Sequence, residues 1–178
     1  MVNISNVENI KPETYFSDLE RDVFLLLDKL KISYQYVTND VVETMEECVE
    51  IDSTLACEVR KSILLTNKKH TTFFLIVLPA DKNLDVKQLE AKLGISGLSF
   101  ASGEEMEEKL GVLPGALTVL SVISDFDDYV QVIIDQEVMD SEYFACNSTT
   151  NRRHIKMKTS DLSRYLKSLH HRVKAIEL

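Results

Sequence analysis

The stretch from residue 60 to residue 79, RKSILLTNKKHTTFFLIVLP, decides the fold class of this chain. Two apolar runs rich in β-forming residues, Ser62–Thr66 and Thr72–Leu78, flank the polar segment Asn67–His70. Short apolar runs separated by a few polar residues are typical of two antiparallel strands joined by a turn. The stretch therefore predicts a β-hairpin.

Helices are predicted on both sides of this hairpin. Residues 17–32, SDLERDVFLLLDKLKI, begin with Ser17 as N-cap and have Glu20 three residues later, which is the pattern of a capping box. Two further helices end at Gly94 and Gly111, since glycine readily adopts the left-handed conformation that follows a helix. Because these helices are inserted among strands without regular βαβ alternation, we expect an α+β fold with a mixed, mainly antiparallel sheet and flanking helices.

The C-terminal half supplies the remaining strands. We expect the segment after the Pro114-Gly115 turn to run into a strand, and residues 129–138, YVQVIIDQEV, to form another because they alternate. The residues YFACN and RHIKMK predict two more. Residues 159–173, TSDLSRYLKSLHHRV, predict the last helix.

Length and composition predict one cytoplasmic domain. A chain of 178 residues fits a single domain over residues 1–178, with 1–16 as an N-terminal extension. No apolar run approaches the roughly 20 residues of a membrane span, so no membrane association is expected. The N-terminus lacks the pattern of a secretory signal.

Neither metal nor cofactor binding is predicted. Three cysteines without C-x-x-C spacing argue against a disulfide framework and against zinc. His170 and His171 are adjacent, so on a helix they would point in different directions. There is no G-x-S-x-G, no P-loop and no G-x-G-x-x-G.

The charge is unevenly distributed along the chain. The net charge is −9, which argues against a general nucleic-acid binder, since phosphate neutralisation needs Lys and Arg. Residues 151–178, however, carry eight Lys/Arg against two acidic residues. This stretch is either a basic binding face or simply the solvated side of the last helix.

Three segments could form a pocket. Lys61 lies at the start of a strand, where an ammonium group can bind a carbonyl or phosphate oxygen. The Gly111–Gly115 segment contains a turn whose free amides can hold an oxyanion. The loop Asn147–His154, NSTTNRRH, is polar and lies between two strands, as binding loops often do.

The order and spacing of these segments resemble the YbaK-like family, and within it the free-standing prolyl-tRNA editing proteins, the Ala-tRNA(Pro) deacylases. The similar residues are LSFASGEEMEEKLGVLPGALTVLSVISD at 98–125, VQVIIDQEV at 130–138 and YFACNSTTNRRHIKMKTSDLSRYL at 143–166. The resemblance covers about residues 18–172. It implies hydrolysis of the ester that joins a wrong amino acid to the 3′ end of a tRNA, without cofactor or metal. The implied partners are mischarged tRNA, above all tRNA(Pro), and prolyl-tRNA synthetase.

The resemblance also assigns roles to residues. Lys61 matches the key pocket lysine, and Gly115 matches the glycine that opens a G-x-x-x-P loop, with Val119 in place of the proline. The implied substrate-binding residues are Ser62, Pro114, Gly115, Ala116, Thr118, Asn147 and Asn151. The implied tRNA-binding residues are Lys68, Lys69, Arg152, Arg153 and Lys156.

Several positions depart from the family pattern. Ser62 replaces an asparagine, and Asn147-Ser148 replaces a His-Pro pair. Two alternatives to an Ala-tRNA(Pro) deacylase therefore stay open. One is a non-catalytic module that binds aminoacyl-tRNA or a small metabolite, and the other is a deacylase with changed amino-acid specificity.

Overall fold

The computed structural model describes residues 2–178 of the chain. It contains six α-helices, eight strands and two 3-10 helices in this part of the chain. The α-helices are α1 Asp18–Lys29, α2 Val49–Leu55, α3 Val86–Leu93, α4 Gly103–Leu110, α5 Gln136–Asp140 and α6 Thr159–Ser168. The strands are β1 Tyr34–Thr38, β2 Lys61–Thr66, β3 Phe73–Leu78, β4 Ser99–Phe100, β5 Val130–Asp135, β6 Tyr143–Asn147, β7 Arg153–Lys158 and β8 Val173–Ile176. The 3-10 helices are Glu46–Cys48 and Val119–Ser124.

The predicted hairpin forms the centre of a five-stranded sheet. The strand order is β4-β2-β3-β5-β8. Strands β2 and β3 pair antiparallel from Lys61↔Leu78 to Thr66↔Phe73, whereas β5 and β8 run parallel to β3. All six residues of β3 are buried, because this apolar strand is covered on both faces.

A second, three-stranded antiparallel sheet has the order β1-β7-β6. It meets the larger sheet just before β2, where Val59 and Ala145 form a bridge and the Arg60 amide donates to the Ala145 carbonyl over 2.8 Å. Residues before α1 extend this sheet beyond β1. Glu8 and Tyr36 exchange both backbone hydrogen bonds, at 2.9 and 2.8 Å.

The main apolar core is shared by the helices and both sheets. Phe24 and Leu27 of α1 and Tyr165 of α6 pack in the same cluster as Leu75 of β3 and Phe144 of β6. The Tyr165 hydroxyl donates to the Leu120 carbonyl over 2.8 Å, which satisfies the polar end of a buried ring.

The α+β fold class with its mixed, mainly antiparallel sheet is confirmed, as is the hairpin. Ser17 accepts from the Glu20 amide at the start of α1, and Gly94 and Gly111 follow α3 and α4 in the left-handed conformation, as predicted.

Three local predictions are wrong. The segment after the Pro114-Gly115 turn forms the 3-10 helix Val119–Ser124 instead of a strand. The strand predicted over residues 129–138 ends at Asp135, whose side chain accepts from the Glu137 amide and starts α5. The last helix ends at Ser168, and its predicted final residue, Val173, begins β8 instead.

The longest helix, α1, has 12 residues. No helix in residues 2–178 has both the length and the apolar character needed to cross a membrane.

Candidate active site

A cleft of about 380 Å³ opens where the two sheets meet. Its walls come from the loop after β1, the start of β2, the end of β4, the Pro114-Gly115 turn and the facing ends of β6 and β7. Most of its surface is apolar, and a few polar groups converge on it. The lining residues are Val42, Glu43, Thr44, Met45, Cys48, Val59, Arg60, Lys61, Ser62, Ile63, Leu64, Phe100, Ala101, Met106, Pro114, Gly115, Leu117, Asn147 and His154.

Lys61 supplies the positive charge of the cleft. It is half-buried at the first position of β2, and its amine has no hydrogen bond or ion pair with any residue in 2–178. The neighbouring Arg60 is also in the wall, but its guanidinium is engaged by Glu58 and by the Ser141 hydroxyl. Because Arg60 is already paired, Lys61 is the ammonium group that remains free to bind an anionic or carbonyl oxygen.

The Pro114-Gly115 turn lies in the same cleft as Lys61. Gly115 has φ +86°, a conformation that side chains with a Cβ rarely adopt. The amides of Gly115 and Leu117 donate to no acceptor within the described part of the chain, although the Ala116 amide between them donates to the Leu113 carbonyl over 3.0 Å. Two unpaired amides in one tight turn are available to stabilise a developing oxyanion.

Asn147 braces this turn. Its side-chain amide donates to the Leu117 carbonyl over 3.1 Å, and its side-chain oxygen accepts from the Thr149 amide over 3.0 Å. Both polar atoms of Asn147 are therefore engaged by the backbone. Asn151 approaches the turn from the same loop, with its amide nitrogen 3.8 Å from the position a Cβ would take on Gly115.

His154 ends the segment Asn147–His154 that was predicted to contribute to a pocket, and it lines the cleft, although the sequence assigned it no role of its own. It lies opposite Asn147 in the β6–β7 pairing, and its Nδ1 is 2.9 Å from Oδ1 of Asn39. The Asn39 amide group donates to the carbonyls of Asp40 and Asn151, at 2.7 and 3.1 Å, so its oxygen must face the ring as an acceptor. Nδ1 therefore carries the proton, and Nε2 keeps its lone pair.

The electrostatics of His154 follow from its burial. Burial lowers the pKa of His154 to about 4, because the charged imidazolium is poorly solvated there. The ring is therefore neutral near pH 7. Its Nε2 makes no hydrogen bond with residues 2–178, yet it is not sealed from solvent, so it can accept a hydrogen bond from a ligand in the cleft.

The apolar wall was also missed, because its members come from four separate elements. Met45, Cys48 and Met106 belong to the apolar lining, and Phe100 lines the cleft with 66% of its surface exposed. Burial raises the pKa of the Cys48 thiol to about 11, and acidic neighbours add to this. Cys48 is therefore a protonated, apolar wall residue and a poor nucleophile.

Three predicted substrate-binding residues lie outside the lining, and one of them is Asn151, which approaches the Gly115 turn without lining the cleft. Ala116 is buried, and Thr118 is fully buried, with its hydroxyl accepting from the Leu120 amide over 3.4 Å at the start of the 3-10 helix. Thr118 uses its side chain to cap a helix, which contradicts its predicted contact with substrate, whereas the contact of Ala116 stays a prediction.

The predicted tRNA-binding residues divide into three groups. Arg153 is a wrong assignment, since its guanidinium is buried and paired with Glu20 at 3.0 Å. Lys156 already donates to the carbonyls of Leu55 and Ala56, at 2.7 and 3.3 Å. The remaining residues are exposed: Lys68, Lys69 and Arg152.

Comparison with known proteins identifies the family of this chain. Residues 39–165 match the model of the aminoacyl-tRNA editing domain. The prolyl-tRNA editing protein ProX of Acetoanaerobium sticklandii is 30% identical over 161 residues, which cover 90% of this chain and 98% of that protein. Prolyl-tRNA synthetase associated domain-containing protein 1 of Danio rerio is 28% identical over 156 residues, covering 86% of this chain and 84% of its own.

Solved structures share the fold. The crystal structure of a proposed trans-editing enzyme for prolyl tRNA synthetase superposes with a TM-score of 0.66 at 16% identity, covering 92% of this chain and 99% of its own. With a domain match across most of its length and a 30% identical relative, the chain belongs to the aminoacyl-tRNA editing domain family. It is a member of the branch that contains prolyl-tRNA editing proteins.

Proposed function

We propose that this protein is an aminoacyl-tRNA deacylase that acts in trans and removes a small amino acid, most directly alanine, from tRNA(Pro). The observation that carries the proposal is that one mostly apolar cleft is lined by Lys61, which is unpaired within residues 2–178, and by Gly115 and Leu117, whose amides have no acceptor there. The names of the similar proteins support prolyl-tRNA as the substrate class and prolyl-tRNA synthetase as the enzyme whose errors are corrected. Such a role places the protein in the cytoplasm, with residues 1–178 acting as one editing unit.

The chemistry needs oxyanion stabilisation more than it needs a protein base. Water attacks the ester carbonyl, the C–O bond to the terminal ribose breaks, and the leaving 3′ oxygen takes up a proton. In this scheme the neighbouring ribose hydroxyl relays the proton. The Gly115 and Leu117 amides hold the negative oxygen of the tetrahedral intermediate, an interaction worth roughly 10²–10³ in rate for a single donor.

The other cleft groups hold the substrate. Lys61 binds the terminal phosphate or the ester carbonyl, and the neutral His154 accepts a hydrogen bond from the α-ammonium group of the amino acid. The exposed Phe100 ring provides a surface on which the terminal base can stack. Lys68, Lys69 and Arg152 lie outside the cleft, where they contact the tRNA backbone.

Selectivity comes from size. In this proposal the amino-acid side chain packs against the apolar lining residues Met45, Cys48 and Met106, which suits a methyl group. One missing or extra methylene changes binding by only about 10–200-fold, so we expect serine or cysteine esters to be hydrolysed more slowly instead of being excluded.

A second candidate function is binding without hydrolysis. The observation that favours it is Asn147, whose amide atoms are both held by the backbone and provide no acid–base group. A module of this kind would bind aminoacyl-tRNA through the same cleft and leave the ester intact.

The test is deacylation of a panel of charged tRNAs. We expect wild-type protein to release alanine from Ala-tRNA(Pro) and to leave Pro-tRNA(Pro) intact. Lys61→Ala should lower the rate by about 100-fold, the scale of losing one electrostatic contact to the transition state. Lys87→Ala is the matched control, because it removes an exposed lysine of α3 that lies outside the cleft and has no proposed contact with tRNA, and it should change the rate less than threefold.

Two outcomes would contradict the proposal. Binding of Ala-tRNA(Pro) without release of any amino acid would establish the binding module instead. Release that is equally fast in wild type and Lys61→Ala would remove Lys61 from the site.

A further inference from the structure

Three potential ligands meet at a point outside the cleft lining. Asp125 and Asp128 lie in the turn before β5, and His171 lies between α6 and β8. Nδ1 of His171 is 4.0 Å from Oδ2 of Asp125 and 3.7 Å from Oδ1 of Asp128. None of the three residues lines the cleft.

The His171 ring is oriented so that a lone pair faces the carboxylates. Its Nε2 is 2.9 Å from the Val122 carbonyl oxygen, which can only accept, so Nε2 must carry a proton. In the neutral ring, Nδ1 is then unprotonated. The side chain is only 2% exposed, and Nδ1 is sealed from solvent without a hydrogen-bond partner in residues 2–178.

Backbone groups hold Asp125 and His171 in place. Asp125 accepts from the amides of Tyr129 and Val130, at 3.0 and 2.8 Å, which fixes its carboxylate. The hydrogen bond from His171 to the Val122 carbonyl is the kind of contact that orients a metal-ligating imidazole. Asp128 is the open side of the cluster, since its side chain is 65% exposed.

The distances from Nδ1 of His171 to the two carboxylates fit a metal ion between these groups better than a direct hydrogen bond. Distances of 3.7 and 4.0 Å exceed the roughly 2.7–3.2 Å of an N–H···O hydrogen bond. Ligand atoms that each lie about 2.0–2.2 Å from one tetrahedral ion are separated by about 3.4 Å. One potential ligand atom from each of the three residues falls within a mutual distance of 4.8 Å, so a small closure would complete the site.

We propose that Asp125, Asp128 and His171 bind one divalent transition-metal ion of the Zn²⁺ type, with water completing the coordination. An imidazole nitrogen beside two carboxylates favours Zn²⁺ over Mg²⁺ or Ca²⁺, which prefer oxygen ligands alone. The ion joins the start of β5 to the segment leading into β8, two strands that pair in the sheet. Its role is to stabilise this side of the fold. The sequence spacing predicted no metal because His170 and His171 are adjacent, but this site uses only His171.

Calorimetric titration of untagged, chelator-treated protein with ZnCl₂ tests the site directly. We expect one saturable equivalent per chain and a rise in Tm when Zn²⁺ is added, because a ligand that binds only the folded state stabilises it. MgCl₂ at the same concentration should leave Tm unchanged. Asp128→Asn should weaken Zn²⁺ binding at least tenfold, and because Asp128 is exposed this variant should fold.

His170→Asn is the matched control, since it removes the exposed neighbour of His171 and should bind Zn²⁺ as wild type does. The proposal is overturned if wild type binds no saturable equivalent, or if Asp128→Asn binds as tightly as wild type. No tRNA enters the titration, so its result is independent of deacylase activity.

Discussion

Two adjacent arginines show how different the roles of neighbouring residues can be. Arg152 is exposed, with its guanidinium 5.1 Å from the centre of the Phe16 ring. Arg153 instead enters the core, where it pairs with Glu20, donates to the Thr14 carbonyl over 3.2 Å and lies over the Tyr36 ring. The Glu20 side chain is 0% exposed and that of Arg153 is 6% exposed.

Substituting these arginines one at a time separates the contribution of the buried ion pair to stability from that of an exposed arginine. Arg153→Ala leaves the Glu20 carboxylate buried without its partner and should lower the free energy of unfolding by about 3–5 kcal/mol. Arg152→Ala should change it by less than about 0.5 kcal/mol, as is usual for an exposed residue. Urea unfolding of both variants measures the difference, and equal losses would show that the ion pair has no special role.

At this scale the sequence predicted the cleft in part. Five of the predicted residues line one cleft, and they could be predicted because each belongs to a motif with recognisable spacing. These residues are Lys61, Ser62, Pro114, Gly115 and Asn147. His154 carries no such signal, since its role depends on Asn39, 115 residues away in the chain. Arg153 was misassigned for the same reason, because its partner Glu20 belongs to a distant helix.

At the scale of elements, the turn at Gly115 can be compared with the end of α3. Gly115 and Gly94 both have positive φ, +86° and +68°. A Cβ on Gly94 would meet no atom within 4 Å, and one on Gly115 would make only an ordinary contact with Asn151. Alanine at either position therefore suffers mainly from the backbone conformation.

Gly115→Ala and Gly94→Ala should each lower the free energy of unfolding by about 1–2 kcal/mol. Only Gly115→Ala should also slow deacylation, by tenfold or more, because the turn that carries the oxyanion donors would shift. Thermal unfolding and single-turnover deacylation of the pair check this expectation. If both variants deacylate equally well, the Gly115 turn does not hold the reacting ester.

The local sequence pattern was sufficient to predict some helices and strands and insufficient to predict others. The hairpin, α1, α3 and α4 follow from apolar spacing and caps, which lie within each segment. The apolar run VLSVIS fits a buried strand as well as a buried helix, and periodicity does not distinguish them over so few residues. Strand β8 has only four residues and forms through parallel pairing with β5, a contact that no local pattern specifies.

At the scale of the whole molecule, buried His154 links stability to pH. Its pKa is about 4 in the folded protein, against about 6.5 for an unperturbed histidine. Between these values the unfolded chain binds a proton that the folded chain does not. The contribution of His154 to stability is therefore fully present above pH 6.5 and is lost as pH falls towards 4.

We expect this histidine to account for up to about 3 kcal/mol of the fall in unfolding free energy between pH 7 and pH 4. His154→Gln should show a shallower pH dependence than wild type, whatever its stability at pH 7. His170→Gln, at an exposed histidine, should keep the wild-type slope. Urea unfolding at four or five pH values measures these slopes, and identical slopes in wild type and His154→Gln would contradict the expectation.

The backbone pairing of residues before α1 with β1 has a consequence for solubility. Strand β1 lies at the outside of the three-stranded sheet, so its outer N–H and C=O groups would otherwise be open to another strand. Ser5 and Glu8 occupy those groups at Thr38 and Tyr36. Ser5 and Glu8 thus protect this sheet edge from pairing with the edge of a second molecule.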